Sequence, residues 1–99
     1  MSDVSRFAVG VDELWEVIES LRDADPETSY TARLLGGDED KLLKKIAEEA
    51  GEVIMAAKDA DAEHLRYEIG DVVYHLLVVM ARWGITPDDL AEELASRRT

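Results

Sequence analysis

The stretch from Lys41 to Asp71, KLLKKIAEEAGEVIMAAKDADAEHLRYEIGD, decides how the chain folds. It opens with Lys41, Lys44 and Lys45 and runs into Glu48-Glu49-Ala50-Gly51-Glu52. An apolar run and the break Asp59-Ala60-Asp61 follow, and then Tyr67-Glu68-Ile69-Gly70-Asp71. On a helix turning about 100° per residue, Glu48 and Glu52 fall within about 40° of each other, with Glu49 one step round. On the next segment Glu68, Asp71 and His75 share one stripe through their i, i+3, i+7 spacing. A link this short between two helices makes antiparallel packing the expected arrangement. Glu48, Glu49, Glu52, Glu68 and Asp71 can then face one small volume. A hard divalent cation relieves their repulsion because it takes oxygen ligands; Mg²⁺ is the expected ion and Mn²⁺ the second choice.

Upstream, Val11, Leu14, Trp15, Ile18 and Leu21 recur at helical spacing and predict an amphipathic helix to about Asp23, stopped by Asp25-Pro26. Residues 1–10 show no pattern and are expected to form a loosely ordered arm, leaving 11–98 as a single domain. Ser29 is placed to cap a short helix from Tyr30 to Leu35, which Gly36-Gly37 ends. Asp38 caps a third helix, about Glu39 to Lys58, with Leu42, Leu43, Ile46, Ala50, Val53, Ile54 and Ala57 as its apolar face. Asp61 caps a fourth, about Ala62 to Trp83, and Gly84 stops it. Thr86-Pro87-Asp88-Asp89 is a strong start signal for a fifth helix to about Arg97, with Leu90 and Leu94 turned inward. The expected fold is all-α: a bundle built on two long antiparallel helices, 39–58 and 62–83, with shorter helices flanking them. The fourth helix is apolar on nearly every side, which requires burial on every side. A single domain of 99 residues offers little to cover it, so completion by a homodimer or higher homo-oligomer is expected.

The composition narrows the function. A net charge of −12 argues against nucleic acid as a partner and demands a local basic patch for any phosphate-bearing substrate. Lys41, Lys44 and Lys45 are that patch. There is no cysteine, which fits a reducing cytoplasm; no signal peptide is evident and no apolar run reaches membrane-spanning length. No Gly-rich phosphate loop and no paired serine or cysteine nucleophile is present. Glu48, Glu49 and Glu52 alone read as a solvated helix face, with lysines to pair with. Glu68 and Asp71 shift that balance, because they lie on the most apolar helix, where unpaired carboxylates cost several kcal/mol. His75 is expected to be structural, His64 solvated, and Trp15 and Trp83 core or interface aromatics.

These motifs resemble a known family. The pair EExxE and ExxD, here Glu48-Glu49-Ala50-Gly51-Glu52 and Glu68-Ile69-Gly70-Asp71, is similar to the signature of the all-α nucleotide pyrophosphohydrolases. Within that group Asp25-Pro26-Glu27-Thr28-Ser29-Tyr30-Thr31-Ala32-Arg33-Leu34-Leu35, Lys41, Lys44-Lys45, Ala56-Ala57-Lys58 and Tyr74-His75-Leu76-Leu77 look like the phosphoribosyl-ATP pyrophosphatases of histidine biosynthesis. The likeness covers about Val11 to Arg98. Val11 departs from it, standing where relatives often place a capping residue. The resemblance implies hydrolysis of phosphoribosyl-ATP to phosphoribosyl-AMP and pyrophosphate. It implies Mg²⁺ on Glu48, Glu49, Glu52 and Asp71, with Glu68 as ligand or supporting acceptor, and Glu49 as the base. Lys41, Lys44 and Lys45 then meet the phosphates, and Ser29, Tyr30 and Thr31 contact the substrate. Two other readings stand beside it: a house-cleaning pyrophosphohydrolase acting on a (deoxy)nucleoside triphosphate, and a non-catalytic acidic helical adaptor.

Overall fold

Five helices succeed one another in a computed structural model that describes residues 5–98: α1 Arg6–Ser20, α2 Tyr30–Gly36, α3 Glu39–Lys58, α4 Ala62–Trp83 and α5 Pro87–Ser96. Among the described residues there is no strand, so the fold is the all-α bundle that the sequence pattern predicts. Local chemistry sets most of the boundaries. Ser29 accepts from the Ala32 N–H, Asp38 from Asp40 and Asp61 from His64, each satisfying a first-turn donor that has no helical partner. Thr86 and Asp89 cap each other reciprocally, with Pro87 opening α5. Gly84 ends α4 in the left-handed conformation, φ 70°.

The turn from α3 to α4 closes the same way. The Asp61 N–H donates to the Ala56 carbonyl and the Ala60 N–H to that of Ala57, a Schellman arrangement. The left-handed position is held by Ala60, φ 57°, where a Cβ costs about 1–2 kcal/mol. The packing that offsets this is the α3–α4 contact, the most extensive in the molecule; α1 and α2 lean on α4. Ile18, Leu34, Leu35, Leu42, Leu77, Val78, Met80 and Ala81 form the core, with Trp15 half-buried against it. Arg82 donates to the carbonyls of Leu34 and Gly37, both at 2.9 Å, and Trp83 Nε1 to Glu39 at 3.0 Å. These bonds fix the end of α2 and the start of α3 against the last turn of α4. No single helix is long and apolar enough to cross a membrane.

The differences from the sequence reading have local causes. Helix α1 starts at Arg6 rather than Val11, because the Ser5 hydroxyl accepts from the N–H groups of Phe7 and Ala8. Residues 6–10, expected in the arm, are therefore helical; residues 1–4 lie outside the described residues. The helix ends at Ser20, short of Asp23, in a tighter turn where the N–H groups of Leu21 and Arg22 donate to the carbonyls three residues back. Leu90 and Leu94 do not turn inward: α5 buries nothing, and Leu94 is 57% exposed. On α3 the covered positions are Leu42, Glu49 and Ala56, with Ile46 and Val53 partly covered; Leu43, Ala50, Ile54 and Ala57 face outward. On α4, Ile69 and Leu76 are likewise exposed. Trp83 is exposed as well, and so lies outside this chain's core. The α3–α4 pair thus seals one seam and leaves apolar rows open on another side.

Truncating an enclosed leucine and an exposed one separates core from surface. Leu42→Ala should cost about 2–5 kcal/mol in denaturant unfolding, and Leu94→Ala within about 0.5 kcal/mol of zero. A large loss at Leu94 would contradict the placement of α5.

Candidate active site

Glu49 stands between Leu42 and Ala56 on the covered face of α3, in steps of seven residues, and Glu68 and His75 are spaced alike on α4. That period keeps all of them on the seam where the two helices meet. The seam brings the side-chain oxygens of Glu49, Glu68 and Asp71 within 4.8 Å of one another. A second group, Glu52, His64 and Glu68, meets within the same limit. Glu68 belongs to both, and its Oε2 lies 2.9 Å from His64 Nε2. Glu49 and Glu68 are buried, Asp71 half-buried, and Glu52 and His64 exposed.

The charges in this seam do not balance. Lys45 Nζ lies 3.3 Å from Glu49 and 3.9 Å from Glu48. Burial pushes the Glu49 carboxyl up, but hydrogen bonds from Lys45 and Asp71 outweigh it and hold the group below the usual carboxylate range. Asp71 moves the other way: burial, the hydrogen bond to Glu49 and the nearby charges of Glu49 and Glu68 raise it above its ordinary 3.8. The two members of the pair are thus shifted in opposite directions by the same contact. A divalent cation would let all the acids ionise together, and a donor set of carboxylate oxygens suits a hard one.

Beside the acids, between the end of α2 and the start of α3, lies a cavity of about 620 Å³. Arg33, Lys41, Lys44 and Lys45 line it, together with Tyr30, Glu48 and the Gly36-Gly37 turn. Lys45 belongs to both regions, since it walls the cavity and reaches Glu49. Tyr30 is held by His75. The buried imidazole gives its Nδ1–H to the Asp71 backbone carbonyl at 2.8 Å, so its Nε2 accepts from the Tyr30 hydroxyl at 3.0 Å. Both ring nitrogens are thereby engaged, and His75 is structural. Tyr74 stacks on Tyr30 at 6.4 Å and pairs through its hydroxyl with Thr31, while the Arg33 guanidinium lies 5.6 Å over the Tyr30 ring.

The structure sorts the sequence candidates. Lys41, Lys44, Lys45 and Tyr30 line the cavity. Ser29 spends its hydroxyl on the Ala32 N–H and Thr31 is buried against Tyr74, so neither faces it. Glu49, Glu68 and Asp71 meet in one group and Glu52 meets Glu68 in the other, whereas Glu48 lies outside both and borders the cavity. Two members were not foreseen. Arg33 was quoted only within a motif, although it follows Tyr30 by three residues on the same helix face. His64 is exposed, as expected, but it precedes Glu68 by one turn and reaches its carboxylate.

The family model for phosphoribosyl-ATP pyrophosphohydrolase matches residues 11–98. A phosphoribosyl-ATP pyrophosphatase of Nitrosomonas eutropha is 50% identical over 85% of this chain and 72% of that protein. One from Pelotomaculum thermopropionicum is 51% identical, covering 87% and 88%. The histidine biosynthesis bifunctional protein HisIE of Thermus thermophilus is 46% identical over 92% of this chain and 42% of its own length.

The raised Asp71 carboxyl has a consequence for stability. The folded chain holds that proton more tightly than the unfolded one, so this contribution is present at low pH and is lost as pH rises through the folded pKa. Glu49, shifted down, works in the opposite sense. Asp71→Asn should therefore raise the melting temperature of the metal-free protein at pH 7, by about 4–8 °C for each kcal/mol of repulsion relieved. The gain should shrink below about pH 4, where aspartate is protonated anyway. A melting temperature that falls at pH 7 would contradict the convergence of these acids.

Proposed function

The chain belongs to the phosphoribosyl-ATP pyrophosphohydrolase family, and we propose that it hydrolyses 1-(5-phosphoribosyl)-ATP to 1-(5-phosphoribosyl)-AMP and pyrophosphate, the second step of histidine biosynthesis, with Mg²⁺ bound at its acids. One observation carries this reading: Lys45 joins a cavity lined by cations to a carboxylate cluster, in a chain of net charge −12. Such a junction suits a polyphosphate whose charge must be held on one side and opened to water on the other.

In the reaction, water attacks a phosphorus of the α–β anhydride, the bond to the bridging oxygen breaks, the water's proton passes to the base, and pyrophosphate is released. Mg²⁺, when bound, would supply neutralisation of the phosphate oxygens and a lowered pKa for a bound water. Glu49, Glu68 and Asp71 would hold the ion, with Glu52 beside it through the group it shares with Glu68 and Glu48 at the cavity edge. Glu49 is the base: it is buried in the seam with its oxygens among the converging acids, placed to take the water proton. Lys41, Lys44, Lys45 and Arg33 clamp the phosphates as fixed charges. Tyr30 forms the cavity wall against the substrate, and Ser29 and Thr31 act by holding its segment in place. No covalent nucleophile is needed, which agrees with the lack of one.

The protein works as a homodimer in this reading. The outward rows Leu43, Ala50, Ile54 and Ala57 on α3, with Ile69 and Leu76 on α4, form an apolar face that a second copy would cover.

In an assay with Mg²⁺, phosphoribosyl-ATP should release pyrophosphate faster than any deoxynucleoside triphosphate, and chelation should abolish release. Glu49→Gln should lower kcat by about 10²–10⁴-fold. Faster release from a deoxynucleoside triphosphate would replace the substrate by the house-cleaning class; no release from any of them would favour the adaptor. In sedimentation velocity the parent chain should run as a dimer, and Ile54→Glu with Ile69→Glu as a monomer. A parent that runs as a monomer would reject the dimer.

A further inference from the structure

We propose that His64 is a metal ligand: with Glu52 and Glu68 it forms an outer site of two carboxylates and one imidazole, and this site takes a first-row transition ion in preference to Mg²⁺. This rests on the pyrophosphohydrolase reading of the acids and goes beyond it, since His64 lies outside both acidic motifs. Three observations carry it. The His64 nitrogen and the oxygens of Glu52 and Glu68 already lie within 4.8 Å of one another. They come from both helices, with Glu52 on α3 and the other two one turn apart on α4, so the group is held by the α3–α4 packing and not by a mobile loop. Glu68 is buried and also belongs to the Glu49–Asp71 group. One carboxylate with two oxygens can serve an ion on each side, which is how paired-ion sites share a ligand.

The donor chemistry separates the two positions. The inner group offers only oxygens, which suit Mg²⁺. The outer group adds an imidazole, which Mg²⁺ tolerates poorly and which Zn²⁺, Co²⁺ and Ni²⁺ favour. His64 differs from His75 in the one property that matters here. Both nitrogens of His75 are engaged by Tyr30 and the Asp71 carbonyl, while the Nε2 of His64 points at the acids. In the metal-free chain the His64–Glu68 contact stands where the ion would sit. That contact joins an exposed imidazole to a buried carboxylate, and a divalent cation competes for the same nitrogen and oxygen.

The chain has only two histidines, which makes the test direct. Zn²⁺ is titrated into ¹⁵N-labelled protein in saturating Mg²⁺, and the imidazole nitrogens are followed by NMR. The His64 Nε2 resonance should shift at stoichiometric Zn²⁺ and that of His75 should not. His64→Gln should weaken Zn²⁺ binding by tenfold or more and leave the melting-temperature shift caused by Mg²⁺ in place. Glu52→Gln should weaken the same Zn²⁺ binding, because the site needs the acid from α3; a lone surface histidine would ignore that change. An unmoved His64 signal, or Zn²⁺ binding indifferent to both variants, overturns the assignment and leaves the pyrophosphohydrolase reading standing. A shifted His64 in a protein that hydrolyses none of the nucleotides has the reverse meaning.

Discussion

Everything in this molecule depends on forcing carboxylates together at the α3–α4 seam. Glu49 and Glu68 occupy positions that a hydrophobic bundle would give to leucine, and Asp71 adjoins them. Each buried charge carries a desolvation cost of several kcal/mol before any repulsion is counted. The chain meets this cost in part, through the Lys45 contact and the hydrogen bond between Glu49 and Asp71. What remains is a standing attraction for a cation. Stability is given up locally in this seam, as is common where a site is built.

The core makes that sacrifice tolerable. Ile18, Leu42 and Val78 are fully enclosed and lie towards the other end of the seam, where α1 and α2 close over α4. Arg82 secures the same end through two carbonyls. The hairpin is therefore anchored by apolar packing at one end and left polar at the other. The strained Ala60 turn sits at the polar end, held by the helices it joins.

Charge distribution matters as much as charge total. A chain this acidic repels phosphates at long range, yet five cations, Arg22, Arg33, Lys41, Lys44 and Lys45, line one cavity next to the acids. Short-range contact inside a walled space is less screened than the field outside, so the local sign governs what binds there. Tyr30 shows how the two halves are coupled mechanically. Its hydroxyl rests on His75, whose other nitrogen holds the backbone at Asp71, so one buried imidazole links the cavity wall to the acidic seam.

Most of the fold was legible in the residues because its signals are local. Ser29, Asp38, Asp61, Gly84 and Thr86 each act within a turn, and each marks the boundary expected of it. The start of α1 was missed because its cap, Ser5, precedes the apolar rhythm that was followed. Periodicity also named the wrong inward face for part of α3 and for Leu90 and Leu94: an apolar residue records that burial is wanted, not which neighbour supplies it. The two acidic motifs announced a site by composition and spacing alone. Only the tertiary structure separated Glu48 from the converging acids, drew in His64 and Arg33, and turned Thr31 away from the cavity. Those outcomes depend on the angle at which two helices meet and on which side chain reaches across. That geometry is set by packing between residues distant in the chain, where linear order carries no information.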